Sequence, residues 1–345
     1  MMAVDGLVRK REILQDDTQP PTLLHRDRET EHLVSLLSPL TAGGSADGAF
    51  IYGPPGTGKT CTAREVLEHL AASTDVETVE IDCWQNHSRR RALFAILRGL
   101  LGSEPVNGET AAPGDLLDRL RDVVDGPTVV MLDEVDQLDD FDVLRDLHGL
   151  ADVTMLMIAN KEHTVFGNLE PGLSSRIGTM TRIEFEPYHD TQLIEILRER
   201  VSVGVVSGVV GESDLEEIAD AAARDARNAI NILRVSLDLA VAREEIALSS
   251  GLIEEAAPIA RQDIARARLS SVTREQRQTL EALAEIEPAP MGEIYRAYSA
   301  DVGEKTRRTV GNWLREKFTQ YNLVRVDKSE NPVRYELTDA AREVI

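Results

Sequence analysis

The 345-residue sequence contains only two cysteines, Cys61 and Cys83. Two thiols provide neither a disulfide framework nor a four-ligand metal site. No uninterrupted apolar run is long enough to cross a bilayer, and the first 21 residues lack the apolar core of a signal peptide. These absences predict a cytoplasmic protein that has no membrane partner.

Lysine is almost missing from the basic residues of this chain. Of the 38 lysines and arginines, only six are lysines, and the formal net charge is −22. A chain so acidic and so poor in lysine indicates a high-salt cytoplasm, where dissolved ions screen the repulsion between its own charges. An ordinary acidic cytosolic protein is the alternative that the composition leaves open.

The charge is distributed unevenly along the chain. Residues 270–345 contain 12 basic and 13 acidic residues, so nearly all of the net charge of −22 falls on the first 269 residues. Within the C-terminal part, the stretch from Lys305 to Lys317 holds five basic residues and one acidic residue. A basic island on a strongly acidic chain is a candidate nucleic-acid contact.

Five segments have the pattern of β-strands separated by helical segments. They are residues 49–53, 77–83, 127–134, 153–160 and 180–186. Strands that are apolar on both faces alternate here with segments that carry apolar residues at helical spacing. Because this alternation is typical of a parallel sheet, we predict an α/β fold with a nucleotide-binding domain over residues 22–188.

The pattern changes twice beyond that domain. Residues 189–269 are helical throughout, which predicts a helical lid domain. In residues 270–345, three helical segments precede two short strands, an order typical of a winged helix-turn-helix domain. Residues 1–21 are polar and end in "QPP", and we predict that they form a flexible arm.

The segment "GPPGTGKT" lies between the first predicted strand and the helix that follows it. It fits the pattern G-x-x-x-x-G-K-[ST], in which glycines let backbone N–H groups approach phosphates at a helix N-terminus. Lys59 is expected to reach the β- and γ-phosphates, and Thr60 to ligate Mg²⁺. A chance glycine loop is the alternative, which the flanking strand and helix disfavour. The residues predicted to bind ATP or ADP here are Gly53, Pro54, Pro55, Gly56, Thr57, Gly58, Lys59, Thr60 and Cys61.

Polar residues end the third and fourth predicted strands. Asp133 and Glu134 follow four apolar residues, and Asn160 ends the segment "MLMIAN". Because ligands bind at the carboxyl edge of parallel sheets, we expect Asp133 to hold the Mg²⁺ shell and Glu134 to activate the attacking water. Asn160 is placed to position water or the γ-phosphate. The alternatives are a surface acidic pair that ends a strand and a turn-forming asparagine.

Two arginines beyond these strands are candidates for contacting the γ-phosphate. Arg176, in "LSSRIG", precedes the fifth predicted strand and is placed to face the nucleotide of a neighbouring subunit, or a DNA backbone. Arg227, in "RDARNAINIL", opens a helix of the predicted lid and is placed to close on the nucleotide of its own chain. A local ion pair for Arg176 and a solvated helix charge for Arg227 are the alternatives.

The order of these features resembles the layout of AAA+ ATPases: a phosphate loop, an Asp-Glu strand, a strand-end asparagine, an arginine, and a helical lid with its own arginine. The segments "LHRDRETEHLVSLLSPL", "LEPGLSSRIGTMTRIEFEPYHDTQLIEILRERV" and "RDARNAINILRVSLDLA", together with the C-terminal pattern, resemble a narrower family. That family is the archaeal replication initiators, which are related to the eukaryotic origin recognition complex and its licensing ATPase. The resemblance covers the chain from Pro21 onward.

The resemblance implies a role for each matching residue. The matches are Lys59 and Thr60 with Walker A, Asp133 and Glu134 with Walker B, Asn160 with sensor 1, Arg176 with the arginine finger and Arg227 with sensor 2. It further implies that Arg26, Tyr188 and Arg200 contact the nucleotide. In that family ATP, hydrolysed slowly, acts mostly as a switch, and the bound form sits on origin DNA and helps load the minichromosome maintenance helicase, alone or with further copies or paralogues. Gly172 departs from the family, because relatives often carry a basic residue there.

The segment "EKTRRTVGNWLREKF" is the predicted recognition helix. Its candidate DNA contacts are Arg307, Arg308, Asn312 and Arg315, and Lys328 and Arg334 flank the tip of the predicted wing. Asparagine and arginine have the geometry to bind adenine and guanine edges, and a wing can touch phosphates. A further contact is expected from the ATPase domain near "SEPVNGETAAPGDLL". The alternative is a solvated helix in a winged helix that docks protein.

We therefore predict an ATP-switched initiator that binds double-stranded origin DNA and is associated with the nucleoid. A divergent paralogue, or another regulatory AAA+ ATPase without origin-specific binding, is the main alternative. An assembly ATPase of the clamp-loader kind needs an oligomerisation collar, and a signalling NTPase adds repeats or an effector domain. The sequence has neither pattern. A metabolic kinase is disfavoured because no acceptor-substrate lid follows the Asp-Glu strand.

Overall fold

The structure is a computed structural model that describes residues 6–102, 110–167, 169–301, 303 and 305–345. The chain folds into two compact units. Of these described residues, the sheet unit comprises those within 19–199 and 224–226, and the helical unit comprises 6–18, 200–223 and those within 227–345. Most of the predicted lid and all of the predicted winged-helix segment, which we expected to be separate domains, share one unit.

The sheet unit contains a parallel sheet. Its strands are β1 (Ala49–Tyr52), β2 (Glu77–Asp82), β3 (Thr128–Asp133), β4 (Val153–Ala159) and β5 (Thr181–Glu184). They pair in the order β2-β3-β4-β1-β5, and every pairing is parallel. The predicted α/β fold is confirmed, and each predicted strand overlaps an observed one.

The central strands of the sheet are buried on both faces, which explains the unbroken apolar runs of β3 and β4. In β3, Val130 and Leu132 pack into one hydrophobic cluster, whereas Val129 and Met131 pack into another. All four side chains are fully buried. Successive residues of a strand point to opposite faces, so a strand between two cores needs apolar residues at every position.

Helices cover the sheet. They are α1 (Asp27–Leu37), α2 (Lys59–Ser73), α3 (Arg89–Leu101), α4 (Pro113–Val123), α5 (Asp142–His148), α6 (Glu162–Phe166) and α7 (Pro171–Ile177). Helix α8 (Asp190–Gly204) begins in the sheet unit, and its last residues belong to the helical unit. The side chain of Ser88 caps α3 by accepting a hydrogen bond from the backbone N–H of Arg91, and Pro113 starts α4. Residues 103–109, part of the segment predicted to contact DNA, lie outside the described residues.

The helical unit contains the remaining helices and strands, except that Ala226, the first residue of α10, belongs to the sheet unit. They are α9 (Glu212–Ala221), α10 (Ala226–Ala242), α11 (Ser250–Ser270), α12 (Arg274–Ala284), β6 (Ala289–Pro290), α13 (Met291–Asp301), α14 (Arg307–Asn312), α15 (Phe318–Gln320), β7 (Val324–Asp327), β8 (Arg334–Leu337) and α16 (Asp339–Arg342). Throughout the described part of the chain, no helix combines the length and the apolar character that crossing a bilayer requires.

The segment predicted as a flexible arm differs from that prediction where it is described. Leu14 is buried, and the backbone N–H groups of Arg9 and Lys10 donate to the carbonyl oxygen of Gly204 over 2.8 and 3.2 Å. The prediction rested on the polarity of the segment. One buried leucine and pairing through the backbone are enough to pack a polar segment, and neither shows in its composition.

The C-terminal part follows the predicted order of three helices and a hairpin. Strands β7 and β8 pair antiparallel, and β6 adds to the other side of β8. Helix α12 begins with a capping box formed by Thr273 and Gln276. The predicted recognition helix is not continuous, because a π-helical turn, Trp313–Lys317, separates α14 from α15.

Candidate functional site

The phosphate loop, residues 53–60, joins β1 to the N-terminus of α2. The angle φ is +152° at Gly53 and +83° at Gly58, values that favour glycine. A Cβ atom at Gly53 would lie 2.1 Å from the carbonyl oxygen of Phe185, just beyond β5. Both glycines are therefore needed for the turn of the loop and for its close approach to the neighbouring strand.

Lys59 is buried, and three oxygen atoms surround its ammonium group. Nζ donates to the carbonyl oxygens of Gly53 over 2.8 Å and Pro54 over 2.7 Å, and to Oδ1 of Asn160 over 3.2 Å. Asn160 follows β4, the strand that pairs with β1. The order of the sheet thus brings together two residues that we predicted to act on the same phosphate.

Thr60 and Asp133 form the second contact of the site. Oγ1 of Thr60 donates to Oδ2 of Asp133 over 2.8 Å, and the backbone N–H of Glu134 donates to Oδ1 of Asp133 over 2.9 Å. Hydroxyl and carboxylate oxygens are ligands that Mg²⁺ accepts, so this pair fits a Mg²⁺ ion that keeps several waters and phosphate oxygens. Within the described ranges, no cluster of three or more His, Cys, Asp or Glu side chains offers another metal site.

The acidic pair occupies an unusual backbone turn at the end of β3. Glu134 has φ 53° and ψ 44°, a left-handed conformation that residues other than glycine seldom adopt. Burial raises the pKa of Asp133, while the hydrogen bond from Thr60 and the charge of Lys59 act to lower it. A Mg²⁺ ion beside Asp133 would act in the same direction as Lys59, because a nearby positive charge lowers the pKa of a carboxyl group and favours its carboxylate form.

Arg26 and Tyr188 lie beside the phosphate loop. The buried guanidinium of Arg26 donates to the carbonyl oxygens of Thr57 over 2.9 Å and Glu186 over 2.8 Å. Its Cζ atom lies 4.0 Å from the centre of the Tyr188 ring. The resemblance implied that both residues contact the nucleotide; here Arg26 is bonded to the protein's own backbone and stacks on the ring of Tyr188.

Two other predicted residues lie in the helical unit. Arg200 is buried and donates to the carbonyl oxygens of Gln15 and Thr18, both over 3.1 Å. It therefore holds the N-terminal segment in place. Arg227 lies in the first turn of α10 and pairs with Asp16 over 3.2 Å.

Arg176 is exposed on α7. Nearby, Arg182 forms an ion pair with Glu162, but no ion pair joins Arg176 to a carboxylate in the described part of the chain. Gly172 lies on the same helix, and a Cβ atom there would meet no atom within 4 Å. A side chain at position 172 would extend into open space, so the glycine that stands there costs the protein no contact. The departure from the family at this position leaves Arg176 unchanged.

Gly56 is held by the segment that leads into α10. Its φ is +70°, and a Cβ atom there would lie 1.9 Å from Oδ1 of Asp225 and 3.1 Å from the nitrogen of Ala226. The N–H of Ala226 also donates to the carbonyl oxygen of Gly56 over 3.1 Å. Ala223 and Arg224 are both left-handed, with φ of 53° and 67°. This turn separates α9 from α10, within a segment that we predicted to be helical throughout.

We expect Gly56→Ala to lower the free energy of unfolding by about 1–2 kcal/mol, because an L-residue is strained in the left-handed conformation. The added Cβ atom would also displace Asp225. Urea denaturation followed by circular dichroism measures the change. The matched control is Gly114→Ala on α4, where a Cβ atom would meet no atom within 4 Å. Equal stability of the two variants would contradict the prediction.

The helix predicted to contact DNA has one buried and one exposed face. Leu314 and Phe318 are fully buried. Arg307 and Arg308 are exposed in the first turn of α14. Among the residues that the structure describes, no ion pair neutralises either arginine. The basic charge of this helix is therefore available at its surface.

Asn312 and Arg315, predicted to bind base edges, are bonded to each other. Nη2 of Arg315 donates to Oδ1 of Asn312 over 2.9 Å. A Cβ atom at Gly311 would lie 3.3 Å from Nη1 of Arg315, so the glycine leaves room for the guanidinium. The pair spans the start of the π-helical turn.

The two wing residues differ in their surroundings. Lys328 is exposed at the tip of the β7–β8 hairpin. Arg334 donates to the carbonyl oxygen of Pro288 over 2.9 Å and also pairs with Glu330. The guanidinium of Arg334 is therefore tied to its own domain, and Lys328 is the better placed of the two for a phosphate.

Comparison with known proteins places these features in families. Residues 22–158 match the AAA ATPase domain, and residues 194–258 match the Cdc6 AAA+ ATPase-type lid domain. These matches confirm that the chain contains an AAA+ ATPase domain followed by a lid domain.

Full-length relatives decide the family of the whole chain. The ORC1-type DNA replication protein 9 of Halobacterium salinarum is 36% identical over 337 residues, which are 97% of this chain and 95% of the relative. The chain belongs to the ORC1-type DNA replication proteins. A second member from the same organism, ORC1-type DNA replication protein 1, is 36% identical over 89% of this chain and 100% of its own length.

The similarity to a solved structure supports this family assignment. The Aeropyrum pernix ORC1 protein, determined in complex with DNA, superposes with a TM-score of 0.79 at 26% identity and covers 99% of this chain and 97% of its own. The resemblance noted in the sequence is thus confirmed over nearly the whole ORC1-type chain. The two Halobacterium relatives also agree with the halophilic composition.

Several contacts in the sheet unit are not indicated by any local pattern in the sequence. Nε2 of Gln19 donates to the carbonyl oxygen of Cys61 over 3.0 Å, across 42 positions of the chain. Nε of Arg64 donates to Glu80 over 2.7 Å, and this hydrogen bond raises the pKa of Arg64. Asp225, against Gly56, is a third example. Each contact joins separate segments, so no local spacing could reveal it.

Proposed function

We propose that this chain is an ATP-switched initiator of DNA replication that binds double-stranded origin DNA. The observation that carries the proposal is the nucleotide site within the sheet unit, where Lys59 contacts Asn160 and Thr60 contacts Asp133. The similarity to ORC1-type DNA replication proteins along nearly the whole chain supports the replication role.

In this proposal each residue of the site has its own role in binding or hydrolysing ATP. The loop N–H groups and Lys59 bind the β- and γ-phosphates. Thr60 and Asp133 hold Mg²⁺, which offsets the negative charge of the phosphates. Glu134 takes a proton from the attacking water, and Asn160 orients that water or the γ-phosphate. Hydrolysis releases ADP and phosphate and ends the ATP-bound state.

The switch is proposed to use slow hydrolysis and two further arginines. Arg227 serves as sensor 2, as the family resemblance implies. Arg176 serves as the arginine finger for a neighbouring copy or a paralogue on DNA. The exposure of Arg176, and the lack of an ion pair to it among the described residues, support this role because a finger needs an accessible guanidinium.

The exposed face of α14 is the proposed DNA contact. Arg307 and Arg308 bring positive charge to the phosphate backbone of the duplex. Arg315 and Asn312 have the donor geometry for guanine and adenine edges in the major groove. Lys328 on the wing adds a phosphate contact, with a smaller part for Arg334. The determination of the Aeropyrum pernix ORC1 protein with DNA supports this use of the fold.

The ATP-bound form is proposed to recruit the replicative minichromosome maintenance helicase. The family name of the relatives supports a role in replication. Binding of the helicase has to be tested directly. Co-purification of the helicase with the tagged chain on DNA, compared between ATP and ADP, makes that test. Recovery that does not depend on the nucleotide would contradict the switch.

Chromatin immunoprecipitation of the tagged chain from its own host, grown in its native salt, tests the initiator role. We expect one or a few sharp peaks at replication start sites or beside the gene that encodes the chain. These peaks would also supply the duplex for binding assays. A diffuse or absent signal would contradict origin recognition and favour the divergent paralogue.

Replacing Arg307 and Arg308 together by alanine is expected to weaken binding to that duplex at least tenfold. Two cations are then lost from a surface that contacts phosphates. Fluorescence anisotropy at several potassium chloride concentrations measures both the affinity and its salt dependence. If both arginines contact phosphates, the slope of log K against log salt falls in magnitude by about two.

Arg277→Ala is the matched control, because Arg277 is exposed on α12 and pairs with Glu281 on the same helix. We expect this variant to bind DNA like the unaltered chain. Equal binding by the double variant and the control would place the DNA contact elsewhere than on α14.

A further inference from the structure

One arginine of β5 joins the two short helices that follow Asn160 in the chain. Nη1 of Arg182 donates to the carbonyl oxygen of Gly178 over 3.0 Å, and Nε of the same guanidinium donates to Oε1 of Glu162. Gly178 is the C-cap of α7, and Glu162 is the first residue of α6. Arg182 therefore binds both helices, each through a separate nitrogen atom.

The guanidinium of Arg182 also lies against an aromatic ring of α6. Its Cζ atom is 4.7 Å from the ring centre of Phe166, a distance typical of a cation–π contact. Phe166 in turn packs on the fully buried ring of Phe50, and the two ring centres are 4.9 Å apart. Glu162 and Phe166 share one face of α6, because residues at positions i and i+4 of a helix are neighbours. That face holds the guanidinium by an ion pair and by a ring.

Helix α7, which carries Arg176, is short and weakly fixed by its own residues. It has seven residues, of which Leu173 and Ile177 are buried. Burial of apolar surface is non-directional, so these side chains hold the helix against the core without fixing the position of its end. The last carbonyl groups of a helix have no partner within it, and in α7 the carbonyl of the C-cap is bound by Arg182. A directional hydrogen bond thus fixes the end of the helix.

We propose that Arg182 is a positioning residue, which fixes the end of α7 and thereby the place of Arg176, two residues before Gly178. This inference rests on the proposed role of Arg176 as the arginine finger for a neighbouring copy. A finger acts only when its guanidinium meets the γ-phosphate, and a misplacement of about 1 Å can cost about 100-fold in rate. Through α6, the same contact links the finger to the strand end that carries Asn160.

The test mixes two variants of the full chain at equal concentration, with ATP and linear duplex DNA. The donor is Glu134→Gln, which keeps Arg176 but cannot hydrolyse its own ATP. The acceptor is Arg176→Ala, which keeps Glu134 but lacks the finger. An arginine finger is worth about 10³–10⁵ in rate, so we expect the mixture to release phosphate about tenfold faster, or more, than the two variants do separately.

Arg182→Ala is then added to one partner at a time. In the donor it releases the end of α7, so we expect the restored rate to fall about tenfold. The KM for ATP is expected to stay the same, because the nucleotide site of the acceptor is untouched. In the acceptor, Arg182→Ala is expected to leave the restored rate unchanged, since that copy has no finger to position. A role in folding alone would lower the rate in both cases.

Two further variants of the donor complete the test. Arg182→Lys keeps a positive charge for Glu162 but lacks the planar fork that also reaches Gly178, and it is expected to lower the restored rate as well. If Arg182→Ala does not fold, this variant decides the question. Arg121→Ala is the matched control, because Arg121 is an exposed arginine of α4 that pairs with Asp118 on the same helix. It should support the restored rate like the unaltered donor.

The outcomes separate this inference from the proposed function. If Arg182→Ala and Arg182→Lys leave the rate unchanged in the donor, or lower it equally in the donor and the acceptor, the positioning role is overturned. If the unaltered mixture is no faster than its two components, the proposed finger role of Arg176 fails, and this inference fails with it. ATP binding by each variant alone, measured on a filter, shows in that case whether the nucleotide site itself stands.

Discussion

Replacing Glu134 by glutamine is expected to stop ATP hydrolysis while ATP stays bound. Glutamine has the size of glutamate and cannot accept the proton of the attacking water, and loss of a general base costs about 10²–10⁴-fold in rate. Lys59, Thr60 and Asp133 are untouched in this variant, so the phosphates and Mg²⁺ keep their ligands. Phosphate release measures hydrolysis, and retention of radiolabelled ATP on a filter measures binding.

The same variant should be trapped in its DNA-competent form, so its complex with DNA is expected to outlast that of the unaltered chain when ATP is present. Glu77→Gln is the matched control, because Glu77 is exposed at the opposite end of the sheet, in the first position of β2. Hydrolysis by Glu134→Gln within twofold of this control would show that another residue activates the water.

Replacing Lys59 by alanine is expected to weaken ATP binding about 100-fold. Hydrogen bonds to charged groups are worth about 1.5–3 kcal/mol, and Lys59 is the cation that the loop places at the β- and γ-phosphates. The loss should appear as a higher dissociation constant in a fluorescent-nucleotide titration. Near-ultraviolet circular dichroism of the same sample shows whether the variant keeps its packing.

Lys161→Ala provides the control for this change. Lys161 is exposed directly after Asn160 and outside the phosphate loop, so its loss removes the same charge from the same edge of the sheet. We expect it to bind ATP like the unaltered chain. If Lys59→Ala and Glu134→Gln both hydrolyse ATP at the normal rate, the assignment of the nucleotide site is wrong.

Much of the sheet unit could be predicted because its signals are local. Strands β1, β3 and β4 are short apolar runs bounded by glycine or polar residues, and each long helix repeats its apolar residues with the helical period. The meeting of Lys59 with Asn160, and of Thr60 with Asp133, then follows from one rule. Parallel strands place their carboxyl ends at the same edge of a sheet.

Short and interrupted elements could not be predicted in the same way. Helices α5, α6 and α7 have seven or fewer residues, which is too short to display a helical period. The break between α9 and α10 occurs where Asp225 docks on Gly56, in a stretch whose composition favours an unbroken helix. Here a tertiary contact overrides local propensity.

The amino-acid sequence was sufficient for the fold class, the glycine-rich loop between β1 and α2, the acidic end of β3 and the exposed arginines of α14, because each depends on the spacing of neighbouring residues. The way in which the loop is held could be known only from the folded chain. Arg26 is 31 positions from Thr57 and 160 positions from Glu186, yet it bonds to both. Local spacing carries no information about such a contact, since the packing of α1 against the rest of the sheet unit creates it.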